Sequence, residues 1–308
     1  WKDFIKQNFP QAKIAKVDHH LSHASGAYFT SPWENALIVT MDGAGNFLSS
    51  IVAVGKSGKI KKIAKTFIPH SAGVFWGSVT KVCGFKSGTR HGGKVTGLAA
   101  SGNPNKLIDK FRQVIKCDGL RLKAKEELFF DSSKLIPDWG NYEPERLKKF
   151  LGEATREDVA AGAQKRLEEV AVELISNALN KTGLNKVVLA GGVFANVLLN
   201  QKIRQLPKVD DIYVFPAMSD GGLALGAALS FLSKSKIKEG GKLMPKNFGI
   251  VYFGPSYSDN DIREDLARNK IVYKKMVEPA KEIAKLIYEN KIVAFYTGRM
   301  EYGPRALG

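Results

Sequence analysis

Two histidines four residues apart, His19 and His23, are the first side chains in this sequence whose spacing points to chemistry. On a helix, the i, i+4 interval places both imidazoles on one face, within reach of one metal ion. A zinc-protease signature needs a glutamate after the first histidine as general base. Here His20, Leu21 and Ser22 intervene, so that mechanism lacks its base. The interval alone leaves core or surface histidines open as a reading. Asp42 and Asp220 shift the balance. Each closes a strand expected to be buried and opens a Gly-rich loop. A carboxylate there loses water on one side, at a cost on the order of several kcal/mol unless a cation or donors compensate. Two histidines with one or two aspartates suit Fe²⁺, Mn²⁺ or Zn²⁺. Helix capping or turn formation is the other reading of the aspartates.

A second chemistry is phosphate binding. Gly43, Gly45, Gly191, Gly192, Gly221 and Gly222 allow backbone N–H groups to approach an anion with no Cβ in the way. Helices expected after Gly192 and Gly222 would aim positive N-termini at these loops. At the far end, Arg299 and Arg305 flank Glu301 and the Gly303-Pro304 turn. Their guanidinium groups suit phosphate or carboxylate oxygens, with Glu301 orienting one of them. A salt-bridged surface loop would use the same residues.

The elements that must position these groups are legible in the pattern. Residues 12–29 hold a short helical pattern around residues 18–24. Residues 36–41 read as a buried strand, with return strands at 47–54 and 59–66, the last after a Lys-Ser-Gly turn. Residues 70–102 are dense in glycine, which fits either close backbone approach or a set of turns. Residues 103–154 carry no firm signal. Residues 155–181 form the clearest helix, with Thr155 and Asp158 at its start and Gly183 as its stop. Strands at 186–190 and 211–215 follow, each leading through a glycine loop to a helix, from about 195 and over 223–232. Such succession argues an α/β fold. Residues 236–248 read as a linker. Helices are expected at 258–269 and 279–290, and a strand at 291–297.

Composition excludes several classes. The 308 residues are 44% hydrophobic and 25% charged, which rules out a wholly disordered chain, a collagen and a coiled coil. The longest apolar stretches are broken by glycine and too short to span a bilayer, and no signal peptide is visible. The net charge of +17 suits phosphate-bearing ligands, nucleic acid or anionic membrane, or simply a basic solvated surface. Cys83 and Cys117 form no CxxC pattern, which excludes a disulfide scaffold and fits a reducing compartment, so a cytoplasmic location is expected. Beginning at Trp1 and stopping just after a dense motif, the chain reads as a fragment of a longer protein.

Together these stretches resemble the NodU/CmcH carbamoyltransferase family. The resemblance runs through DHHLSHA (18–24), TMDGAGN (40–46), HSAGVFWGSVTKVCGF (70–85) and GGKVTGLAASG (92–102). It continues through GGVFANVLLN (191–200), SDGGLALGAA (219–228), FGPSYSD (253–259) and GRMEYGPRALG (298–308). It implies an actin-like (ASKHA, ribonuclease H-like) two-lobed nucleotide-binding domain over residues 1–235, lacking its N-terminal part, and the start of a YrdC-like domain over 249–308. It implies ATP-dependent transfer of a carbamoyl group from carbamoyl phosphate, by way of carbamoyl-adenylate, to a hydroxyl or amine of a small-molecule or glycan acceptor. By motif match, His19, His23, Asp42 and Asp220 would hold a divalent metal, Fe²⁺ before Mn²⁺ or Zn²⁺. His19, His23 and Asp220 would take part in catalysis. Gly43, Gly45, Gly191, Gly192, Asn196 and Gly221 would meet ATP with its Mg²⁺, and Arg299, Glu301 and Arg305 would serve the C-terminal domain.

The same resemblance implies a biosynthetic enzyme, with no membrane or nucleic-acid partner and a homodimer as the expected assembly. Ser101 stands where members commonly have Tyr, and members extend beyond this chain at both ends, so the segment alone is expected not to run the whole reaction. Three other readings compete, one of them a non-catalytic nucleic-acid-binding module, whose mark would be aromatics interleaved in a basic patch, whereas the Lys56–Lys65 cluster holds none and only Phe67 is nearby. A tRNA threonylcarbamoyl transferase suits the basic charge, but not the HHLSHA form or the C-terminal element. An actin-like ATPase or sugar kinase leaves the paired histidines without a use.

Overall fold

The computed structural model describes residues 2–86, 88, 90–130 and 144–304. They form two compact units, residues 1–248 and 249–308.

In the first unit, helix α1 (Lys2–Asn8) precedes α2 (His19–Thr30), then β1 (Asn35–Gly45), β2 (Leu48–Lys56) and β3 (Lys59–Phe67). Helices α3 (Ala72–Val82), α4 (Gly92–Leu98) and α5 (Ile108–Val114) follow. A small hairpin, β4 (Ile115–Asp118) and β5 (Arg121–Ala124), leads to α6 (Pro144–Leu151) and α7 (Arg156–Thr182). The unit continues with β6 (Lys186–Ala190), α8 (Val197–Arg204), β7 (Asp211–Val214) and α9 (Leu223–Lys238).

Five strands make one mixed sheet in the order β3-β2-β1-β6-β7. The first three pair antiparallel, while β6 lies parallel to β1 and β7 parallel to β6. β1 is central and its Ala36–Met41 run is buried on both faces, as a continuous apolar strand requires. The β1–β2 turn holds Asn46 and Phe47 at φ 50° and 63°, the two positive angles of a tight hairpin turn. The expected β-meander forms, with β2 and β3 within two residues of their predicted ends, while β1 runs past its predicted end at Met41 as far as Gly45.

Helix α7 is the spine of the core. Thr155 Oγ1 accepts from the Asp158 N–H at its start, and left-handed Gly183 closes it. Leu167, Val170, Leu174 and Ala178 are buried on one face. Burying each leucine contributes about 2 kcal/mol. Helix α2 packs against α9 at two glycines: a Cβ at Gly226 would sit 2.0 Å from the Ser22 carbonyl, and one at Gly26 would meet Phe215.

The stretch left unassigned, residues 103–154, supplies α5, the β4–β5 hairpin and α6. The helix expected near Ala195 begins with a 3₁₀ turn, Gly192–Ala195, and becomes α-helical at Val197 because Asn196 caps it. Helix α9 runs to Lys238, three residues into the segment read as a linker.

In the second unit, α10 (Asp259–Arg268) carries a capping box from Ser258 and Asp261, and α11 (Pro279–Tyr288) starts at a proline. The strand expected at 291–297 does not form; Tyr252 and Glu301 make an isolated antiparallel bridge instead. An apolar run without a neighbouring strand lacks the ladder that defines one. Among the described residues, no helix is long and apolar enough to cross a membrane.

Candidate metal centre

The carboxyl ends of β1, β6 and β7 meet at one edge of the sheet, the place where open α/β sheets form a crevice. Asp42 is in the terminal part of β1, Gly191 and Gly192 follow β6, and Asp220 lies on the 3₁₀ turn before α9. Helix α2 brings His19 and His23 to the same edge. Four donor atoms, one from each of His19, His23, Asp42 and Asp220, lie within 4.8 Å of one another.

The spacings test the fit to a metal. His23 Nε2 is 3.2 Å from His19 Nε2, 3.0 Å from Asp42 Oδ2 and 3.5 Å from Asp220 Oδ1. His19 Nε2 is 3.6 Å from Asp220 Oδ1 and 4.0 Å from Asp42 Oδ2. Ligands about 2.1 Å from a common centre stand about 3.0–3.4 Å apart in octahedral or tetrahedral arrangements. The donor set, two neutral imidazoles and two carboxylates, balances a divalent charge. The residues fit such an ion, with the His19–Asp42 edge the widest.

Each group is set by its surroundings. Asp42 Oδ1 accepts from the Gly43 N–H at 2.6 Å and Oδ2 from the Gly192 N–H at 3.0 Å. Burial works to raise the Asp42 pKa, but the hydrogen bond and charge of His23, with the two amides, outweigh it and hold it at about 2. Burial likewise opposes charge on His23, yet Asp220 and Asp42 raise its pKa above the ordinary histidine value. His19 goes the other way, lowered by burial and by His23. Nδ1 of fully buried His23 has no hydrogen-bond partner among the described residues.

The glycines serve close approach. A Cβ at Gly45 would sit 2.1 Å from the His19 ring. Gly191, at φ +100°, passes so near β1 that a Cβ would lie 2.1 Å from the Met41 carbonyl oxygen. The Gly43 and Gly192 amides, read from sequence as phosphate donors, donate here to Asp42. Gly221 is open, with nothing within 4 Å of its Cβ position. Asn196 is buried: its Oδ1 caps Leu199, and it exchanges two hydrogen bonds with Gln164 of α7.

Arg299 and Glu301 belong to the second unit, Arg299 exposed and Glu301 half-buried, and Arg305 lies outside the described residues. Beside the donor cluster opens a cavity of about 280 Å³, lined by Asp42, Gly43, Trp76, Arg90, Val193 and Asp220 among others.

One supporting residue, Ser71, escaped the sequence reading, while Gly73 belongs to the glycine-dense stretch read as close backbone approach. Ser71 Oγ lies 3.0 Å from the Asp42 carbonyl and 2.7 Å from that of Gly43, and it accepts from the Val74 N–H to cap α3. Gly73 leaves room for that turn, since a Cβ would be 2.5 Å from the Asp42 carbonyl carbon. A serine just before an apolar helical run was the available signal.

Residues 4–229 match a family described as the carbamoyltransferase N-terminus. The chain is similar to the nodulation protein NolNO of Sinorhizobium fredii, with 32% identity over 96% of this chain and 42% of that protein. It is similar to an uncharacterised protein of Methanocaldococcus jannaschii, with 30% identity over 96% of this chain and 50% of that one. The nodulation protein NolO of Bradyrhizobium diazoefficiens is 29% identical over 95% of this chain and 52% of its own length. The chain thus spans about half the length of the curated relatives it matches. Among solved structures, HypF of T. kodakarensis covers 75% of this chain and 38% of its own, at 13% identity and a TM-score of 0.47.

Proposed function

This chain belongs to the carbamoyltransferase family, and from that premise we propose that it carries the transfer site of an ATP-dependent carbamoyltransferase. The carbamoyl group comes from carbamoyl phosphate, is activated as carbamoyl-adenylate, and passes to a hydroxyl or amine of a small-molecule or glycan acceptor. The observation that carries this reading is the convergence of His19, His23, Asp42 and Asp220 beside a cavity, within the matched residues.

A carbamoyl carbon is a poor electrophile, so the site must withdraw charge from its oxygen and hold the leaving group. His19, His23, Asp42 and Asp220 would hold a divalent ion, Fe²⁺ before Mn²⁺ or Zn²⁺, which would supply Lewis-acid chemistry. The chain's own residues do the rest. The Gly43 and Gly192 amides keep the Asp42 carboxylate ionised and aimed. Arg90 brings positive charge to the wall of the cavity, where a phosphate leaving group would lie. Trp76 and Val193 give that wall apolar surface against which substrate can be oriented. The exposed side chain of Asp220 leaves the cluster open on the acceptor's side.

The strand order, three antiparallel strands continued by two parallel ones, supports an actin-like fold for the first unit. We assign the second unit to the start of a YrdC-like domain, with Arg299, Glu301 and Arg305 acting on ATP and carbamoyl phosphate.

Elemental analysis of this chain, purified without chelator and offered Fe²⁺, tests the site. About one equivalent bound by the wild type, and none by the His19→Ala/His23→Ala variant, is expected. Equal binding by both would overturn it. In the full-length protein, the same variant should lose carbamoyl transfer across a panel of hydroxyl and amine acceptors.

A further inference from the structure

Between the two cluster histidines in sequence stands a third that does not join them. His20 is 1% exposed. Its Nε2 lies 3.1 Å from the Leu48 carbonyl oxygen and its Nδ1 2.7 Å from Thr40 Oγ1. A carbonyl oxygen only accepts, so Nε2 carries the hydrogen. Nδ1 is then the acceptor, and the Thr40 hydroxyl donates its hydrogen bond to it. The same hydroxyl oxygen accepts from the Ile51 N–H at 3.2 Å. Every polar atom in this chain of bonds is satisfied, and it ties α2 to both β1 and β2. One residue earlier, Asn46 Oδ1 of the hairpin turn accepts from the His19 N–H at 2.8 Å.

We infer that His20 is a positioning residue: its ring, held between Thr40 and Leu48, fixes the rotation of α2 about its own axis and so aims His19 and His23 at Asp42. The inference rests on the metal-site reading above. An imidazole nitrogen stands about 7 Å from the helix axis, so a rotation of about 15° displaces it by about 2 Å. That displacement is the length of a metal–ligand bond. An apolar side chain would fill the same space, but it supplies no directional contact to stop such a rotation.

Co²⁺ serves as the probe, titrated into the wild-type chain and into His20→Ala, His20→Gln and Thr40→Val, with affinity and the visible absorption of bound Co²⁺ as readouts. His20→Ala should bind about 10–100-fold more weakly with an altered spectrum, the range found for residues supporting metal ligands. His20→Gln, whose amide can donate to Leu48 and accept from Thr40, should recover most of the affinity and the wild-type spectrum. Wild-type affinity and spectrum in a folded His20→Ala would overturn the inference, and so would a Gln variant no better than Ala. Should His20→Ala fail to fold, Thr40→Val decides, because it keeps the volume and removes only the hydroxyl; unchanged binding there would also overturn it.

Hydrogen exchange of the metal-free proteins separates this inference from the metal reading. The Ser22 and His23 amides should exchange faster in the variant that breaks the clamp and be restored in His20→Gln; no change would count against the clamp. A wild type that takes up no Co²⁺ sinks the metal reading alone.

Discussion

The two sides of the donor cluster are built in opposite ways. His23 is fully buried and the Asp42 side chain is 17% exposed, each fixed by neighbours from other elements. Asp220 is 69% exposed and stands on a short turn beside an unobstructed glycine. The buried side is organised before any ligand arrives, with backbone N–H groups holding a carboxylate that burial would otherwise neutralise. The open side gives access.

The largest expected effect lies on the buried side. Asp42→Ala or His23→Ala should weaken Fe²⁺ or Co²⁺ binding at least about 100-fold by titration calorimetry, because in the proposed metal site each removes a ligand held on the buried side. Comparable loss on removal of Asp220 alone would break the comparison. Gly191→Ala comes next. It forces a side chain into a positive-φ position and against Met41, and it should lower unfolding free energy by about 2–3 kcal/mol in denaturant titration. Asp220→Asn should cost about tenfold in metal affinity and leave the melting temperature of the metal-free protein unchanged.

A carboxylate outside the cluster sharpens the electrostatic half of the argument. Asp158 is held at a pKa of about 2 by Lys106, the Asn103 N–H and Thr155. With a depressed folded pKa, its stabilising contribution is present above its ordinary value of 3.8 and is lost as pH falls toward 2. Asp158→Asn should therefore flatten the acid limb of a stability–pH curve, while the Asp42 contribution to that limb remains. The smallest effect is expected at the open glycine: Gly221→Ala should change stability by no more than about 0.5 kcal/mol.

Much of the first unit was legible because local signals there agree. The β-meander announced itself by apolar runs between Gly, Asn and Asp turns, and α7 by its cap, stop and single apolar face. The donor residue types could also be read, from histidine spacing and strand-end aspartates. Residues 103–154 were illegible because their short elements take their order from packing on α7 and β3; Leu122 of β5, for example, donates its N–H to Thr66. The strand expected at 291–297 failed for the opposite reason, an apolar pattern with no partner strand among the described residues.

What the sequence determined by itself was a list: which residues could ligate, which stretches were strands or helices, and where glycines permitted close approach. Tertiary structure decided which of these act together. His19 and Asp220 lie far apart in sequence, and the packing of α2 against β1 and α9, on a sheet where β6 pairs parallel with β1 and β7 with β6, puts their side chains 3.6 Å apart. The same packing turned the Gly43 and Gly192 amides onto Asp42, placed Ser71 beneath that loop, and locked His20 against the hairpin. Local propensity acts over a turn or two of chain, whereas a site is assembled by burial and hydrogen bonding between segments that the sequence keeps apart.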